Sequence, residues 1–384
     1  MEFRTAMRTK LRSIFRQNRF WAGLLLAQFV LFFCLSKIPA VVKFFQEFFE
    51  YQKLLHQKLF RDLPFSAGDI FYVFLSLALV YLLLKTLRRH TRNAALRTLL
   101  VMLNTLYFFY QIFWGMLYFQ TPVSAQFPTR KVERQDAEQL AIVYLRRCRE
   151  TRKLVQEDRY GVFKVYNRAG LERSILKEQK SLPGTINQKQ ATGVNNIKPS
   201  LFSPVMSYTG ILGYYNPFTA EAQYNPLLPS SQLPFTLAHE SAHQLGYARE
   251  HEANFIGYLI GKNAANADLR YSTEYYTLKA LLGSLVQENP EFVKAVIRSY
   301  SAGMKRDRLA EKMFVRRHEG VLDVFFGFTN DLFLKSNQQK EVLLTPTLWI
   351  YCSSMKWPKN KKNRLLRNGS KTQMMKKNLR LNKT

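Results

Sequence analysis

The chain has 384 residues, 47% of them hydrophobic and 14% aromatic, and a formal net charge of +30. That length holds a membrane part and one sizeable soluble domain. The charge alone would suit nucleic acid or an anionic membrane. However, the basic residues fall at the N-terminus, between apolar runs and in the tail, with no nucleic-acid module, so no nucleic-acid partner is expected. Cys34, Cys148 and Cys352 are far apart without C-x-x-C spacing, which argues against a disulfide framework or a thiolate metal site.

Residues 1–19 carry six basic side chains and one acid, and read as a cytoplasmic N-terminus. An apolar run over about 20–36 follows. No small-residue cleavage site accompanies it and two further apolar runs do, so it reads as a retained signal anchor. Residues 41–63 alternate aromatics and charges at helical spacing, as in an amphipathic helix lying on the membrane or against the soluble domain. In Pro64-Phe65-Ser66-Ala67-Gly68-Asp69 the S-x-x-D spacing of a capping box opens the next helix. The second span is expected over about 69–84 and the third over about 98–119, each near the ~20 residues needed to cross a bilayer. Lys85, Arg88, Arg89, Arg92 and Arg97 lie between them. By the positive-inside rule this loop and the N-terminus are cytoplasmic, so residue 120 onward lies outside. In a bacterium with two membranes the protein is then a multi-pass inner-membrane protein with a periplasmic C-terminal domain.

The domain is expected over 120–340. It starts with a linker to about residue 135, then a helix from Asp136 to about Gln156. Residues 157–205 read as polar and loop-rich, with short strands at 160–166. Residues 206–225, MSYTGILGYYNPFTAEAQYN, have the aromatic and small residues of extended chain.

The next stretch, PFTLAHESAHQLGYAREHEANFIGYL at 234–259, carries the chemistry. His239, Glu240 and His243 form H-E-x-x-H. On a helix, positions i and i+4 share a face one turn apart, so two imidazoles can meet one metal ion. Zinc takes neutral imidazole nitrogen readily, and Glu240 sits where its carboxylate can take a proton from water and return it to a leaving amine. Pro234 suits the first turn, and Gly246 suits the stop. A second helix is expected from about Arg249 to Ile260. A catalytic zinc usually has three protein ligands. Glu250 is the nearest third candidate, with Ala253 and Asn254 towards its face. The rival, Glu252, points elsewhere. Arg249 stands where an H-E-x-x-H-x-x-G-x-x-H protein has its third His, which argues against that subclass. Asn254 is placed to hydrogen-bond a ligand and orient the third one.

Further helices are expected at about 272–287, 290–303 and 305–335. From Lys356 to Lys383 there are eleven Lys or Arg and no acid, so 341–384 reads as a basic, disordered, membrane-attracted tail or a frame-shifted end.

HESAHQLGYAREHEANF resembles an uncharacterised family of bacterial integral-membrane proteins with an H-E-x-x-H-Q-x-G-x-x-x-E-x-E-A-N-F motif. PFSAGD at 64–69 and GYYNPFTAEAQYNPLLP at 213–229 resemble the same family, over roughly residues 15–335. The motif is also similar to gluzincin-type zinc metallopeptidases, in which the first Glu of E-x-x-A-[DN] binds zinc; that residue here is Glu250. The resemblance implies a reaction type and no particular substrate. By analogy with such peptidases, an edge strand within 206–225 would pair with an extended substrate. Tyr214 or Tyr215 would donate to the oxyanion, and Glu221 and Asn225 would hold that strand or bind substrate.

The expected fold is α+β and mainly helical: three N-terminal transmembrane helices, then a zincin-like domain. The expected activity is zinc-dependent peptide hydrolysis. His239, His243 and Glu250 would hold Zn2+, with Glu240 as base, and the partners would be a peptide or protein substrate and the lipid bilayer. The competing expectation is a zinc- or peptide-binding membrane sensor, which would have no need of Glu240 as a base. The sequence fixes no oligomeric state.

Overall fold

The computed structural model describes residue 15 and residues 17–127, 133–192 and 196–320. The chain is mainly helical with one small sheet. Helices α1 (Asn18–Leu35), α3 (Ala67–Thr86) and α4 (Arg92–Phe113) are long and apolar enough to cross a membrane. Between the first two runs α2 (Pro39–Phe60). Then come α5 (Arg134–Thr151), α6 (Arg168–Lys180), β1 (Ile197–Pro199), α7 (Ser203–Thr209), β2 (Gly213–Asn216) and β3 (Glu221–Tyr224). The chain continues through α8 (Leu233–Leu245), α9 (Glu250–Gly261), α10 (Ala267–Leu285), α11 (Pro290–Arg298) and α12 (Ala302–His318).

Three boundaries depart from expectation. The third span stops at Phe113. Trp114 leaves helical geometry (φ −149°, ψ −49°), and Gly115–Phe119 turns as a 3-10 helix. Met116 and Leu117 there are buried in protein, so these apolar residues serve packing rather than lipid. Hydropathy alone cannot separate those two uses. Between 157 and 205, read as loop-rich, stand α6 and β1, and in place of the short strands expected at 160–166 is a single bridge, Glu157 with Phe163. The stretch from 206 opens inside α7 and becomes extended only after Gly210, whose left-handed backbone (φ 70°) ends that helix. Residues 1–14, the last part of the helix expected to 335, and the basic tail expected from 341 lie outside the described residues.

α2 takes the second of its two expected places, against the domain. Phe45 and Phe49 are buried, the Lys53 ammonium donates to the Gln190 carbonyl at 2.9 Å, and Gln52 donates to the Pro217 carbonyl. Ser66 caps α3 as its spacing requires, accepting from the Asp69 amide at 3.0 Å.

The sheet order is β1-β3-β2, with β1 parallel and β2 antiparallel to β3, so β2 is an outer strand. Helix α8 runs through the centre of the domain. Leu237, Ala238, Ala242 and Leu245 are fully buried, in one core with Phe255, Ile256 and Ile260 of α9 and Leu269, Tyr271 and Leu278 of α10. Small residues bring α9 close: a Cβ added to Gly257 would stand 3.1 Å from the His239 amide nitrogen, and Ala253 is fully buried.

Candidate metal centre

Helix α8 presents His239 and His243 one turn apart, their rings 4.8 Å centre to centre and nearly perpendicular. The Nδ1 atom of each ring is already engaged. His239 Nδ1 is 2.8 Å from the Asn254 side-chain oxygen, and His243 Nδ1 is 2.6 Å from the Tyr247 carbonyl. A proton held at each Nδ1 leaves both Nε2 lone pairs free for a cation. The tight turn after α8 makes the second of these contacts. Gly246 caps the helix in the left-handed region (φ 101°), where a Cβ would also strike the Phe49 ring at 2.7 Å.

Glu250 opens α9 and faces both rings. Its Oε2 is 3.2 Å from His239 Nε2, and its Oε1 is 3.5 Å from His243 Nε2. Donors ~2.0–2.1 Å from a tetrahedral zinc ion stand roughly 3.3 Å apart, so the two imidazoles and this carboxylate fit that ion's ligand set. The half-exposed Glu250 side chain also leaves the cluster open on one side. Glu252, the rival, is turned away. It is buried, and its Oε1 accepts from the Val123 amide at 2.7 Å and from Arg249. Asn254 hydrogen-bonds one of the candidate ligands, His239, as its position on α9 leads one to expect.

Glu240 completes the cluster. Its donor atoms and those of the two histidines lie within 4.8 Å of one another, the one such grouping among the described residues. The carboxylate is buried and its Oε2 has no hydrogen-bond partner. Outer strand β2 runs directly against it. A Cβ on Gly213 would stand 2.6 Å from Glu240 Oε1 and 2.8 Å from the Gln223 carbonyl, so only glycine fits there. Glu240 could in principle be a ligand itself, but Glu250 meets both Nε2 atoms.

Electrostatics follow from this packing. Burial raises the Glu240 pKa to about 7; the two imidazoles oppose the rise and Glu250 adds to it. Burial would lower His243, but the Glu250 carboxylate outweighs that and lifts it to about 9. Burial would likewise raise Glu250, yet the imidazoles hold it well below the usual carboxylate range. The metal-free cluster therefore binds positive charge as protons where a cation would sit.

The remaining expected residues are placed differently. The Tyr214 hydroxyl donates to Asp69 and is not available to an oxyanion. Tyr215 has a buried hydroxyl without a partner and a ring 4.5 Å from Trp114, which in turn lies edge-on to His243. Glu221 is buried under the start of α3, and Asn225 is buried with its amide on Ser207. Trp114, Tyr247 and Gly213 carry no local signal for these places. Trp114 falls in an apolar run that reads as a span, Tyr247 contributes a backbone carbonyl that carries no residue signature, and Gly213 stands in a stretch that reads only as extended chain. Gln244 of the motif ties α8 to the sheet, donating to the Asn196 and Ala220 carbonyls. Ala220 sits at φ 51°, a conformation those bonds help to hold.

The family described as "Protein of unknown function (DUF3810)" matches residues 44–342. No curated protein and no solved structure matches the chain.

Proposed function

We propose, for a chain that belongs to the DUF3810 family, that this cluster is the centre of a membrane-anchored, zinc-dependent peptidase with a zincin-like domain. One observation carries the reading: a carboxylate facing two oriented imidazole nitrogens at 3.2 and 3.5 Å, beside a second, unpartnered carboxylate. His239, His243 and Glu250 would hold the zinc. Zinc, when bound, lowers the pKa of water and polarises a carbonyl. Glu240 takes a proton from water at Oε2 and returns it to the leaving amine. Asn254 and the Tyr247 carbonyl fix the two rings. Outer strand β2 aligns an extended peptide beside Glu240, and Gly213 lets the backbones approach. The positive-inside rule supports a domain outside the cytoplasm, which is the periplasm in a bacterium with two membranes.

The test uses the full chain in detergent. Bound metal is quantified, and casein cleavage is followed with and without chelator. Zinc near stoichiometry with chelator-sensitive cleavage upholds the reading. Zinc without any cleavage favours the sensor, and no metal with both histidines intact overturns the assignment.

Two further results are expected. Asn254→Ala frees the His239 ring and weakens zinc affinity by ~10–100-fold, measured by competition with a fluorescent chelator. Zinc affinity also depends on pH, because binding expels the His243 proton. Affinity rises about tenfold per pH unit as pH climbs towards about 9 and then levels, and calorimetry in buffers of different ionisation enthalpy counts the proton. Stability of the metal-free fold runs the other way. The His243 contribution is fully present below the unfolded pKa of ~6.5 and is lost as pH rises through about 9.

A further inference from the structure

Residues 199–220 contain no charged side chain, where the chain's 22% charged fraction would supply about five. Within them Val205 and Tyr208 stand three residues apart on α7 and are exposed, as are Leu201 just before the helix and Ile211 and Leu212 beyond it. Single exposed apolar residues are ordinary, but these five fall within twelve residues of chain.

Its position says what covers it. α3 has 20 residues, ~30 Å at ~1.5 Å per residue, which matches the hydrocarbon thickness and leaves no turn to spare above it. Its first turn therefore stands at the bilayer surface. The Leu201 amide donates to Asp69 of that turn at 2.6 Å, and Tyr214 of β2 donates to the same carboxylate. One turn deeper, the Tyr72 ring lies 6.2 Å from Tyr214. Phe218, in the β2–β3 turn, packs on Phe71 of α3 and on Phe113 at the end of α4. On the far side of α7, Tyr208 meets His318 in the last turn of α12, where Arg316 and Arg317 are exposed. An apolar face flanked by arginines is the composition of a helix lying in a lipid interface.

We propose that α7 and the loop into β2 are a seat that enters the interfacial layer of the bilayer α3 crosses. The seat holds β2 and Glu240 at the lipid surface. Resting on the peptidase reading, the substrates are then juxtamembrane segments of membrane-anchored polypeptides rather than free peptides.

The experiment uses the full chain in vesicles of phosphatidylcholine and phosphatidylglycerol. An environment-sensitive fluorescent amino acid is placed at Val205, or at Leu154 as reference. Leu154 adjoins Arg152, which packs on Gly303 at the opposite end of α12, roughly 25 Å from α7. Emission at Val205 is expected to shift to the blue and to be quenched by lipid-borne nitroxide, with neither change at Leu154. Val205 behaving like Leu154 overturns the seat. In the same vesicles an unfolded polypeptide is offered free or tethered to lipid. Wild type is expected to cleave the tethered form about tenfold faster. Val205→Asp with Tyr208→Asp should erase that preference while cleavage of the free form is unchanged. Equal cleavage of both forms by wild type overturns the substrate class. A lipid-seated Val205 with neither form cleaved overturns the peptidase reading and leaves the seat standing.

Discussion

Glu240→Gln is expected to lower peptide hydrolysis by ~10²–10⁴-fold while the bound zinc stays in place. The two halves of that result come from different atoms. On the proposed reading, metal retention would rest on His239, His243 and Glu250; the Glu250 oxygens face the two imidazole Nε2 atoms at 3.2 and 3.5 Å. Glu240 stands beside them with a buried, unpartnered Oε2. The amide has the shape of the carboxylate and still fits against Gly213, where there is no room for a Cβ. What it cannot do is accept a proton. Casein cleavage and metal content, measured on the same preparation, check the prediction. A Gln variant that loses its zinc would make Glu240 a ligand. A zinc-loaded variant with full activity would remove it as the base.

The second large effect is on stability. Glu221→Ala is expected to destabilise the protein by about 3–5 kcal/mol, the usual cost of stranding one member of a buried ion pair. Glu221 is fully buried, and its carboxylate faces the buried Lys198 ammonium at 3.0 Å. It also accepts from the Ala67 and Gly68 amides at 3.1 and 2.6 Å, and from Thr219 at 2.9 Å. Those two amides belong to the first turn of α3, where the helix dipole favours a negative charge. One side chain of the sheet thus holds the end of a membrane-crossing helix. Glu221→Gln keeps the shape and loses the charge, and should cost less, about 1–3 kcal/mol. Denaturant unfolding in detergent, followed by circular dichroism, gives both numbers. Equal and small losses would mean that the ion pair and the amides contribute little.

Helix periodicity and the H-E-x-x-H spacing made much of this protein legible. The spans, the paired histidines and the two helices carrying them depend on local rules: apolar length, i to i+4 geometry, and capping by Ser66 and Gly246. Glu250 was found because its neighbours Ala253 and Asn254 share a helical face with it. Contacts between distant segments were not legible. Nothing local says that Asp69 takes the Tyr214 hydroxyl, that Glu252 turns to Val123, or that Asn254 reaches His239.

The sequence by itself determined that there are three apolar helices and one helix bearing two imidazoles and a carboxylate, because those features are set by residue type at fixed short spacing. Only the tertiary structure decided where the third span ends, what Glu252 turns to, and that Glu221 and Asp69 join the sheet to α3. Each of these is a choice between burial partners far apart in the chain. The free energy of desolvating a charge or an aromatic ring depends on what is folded against it.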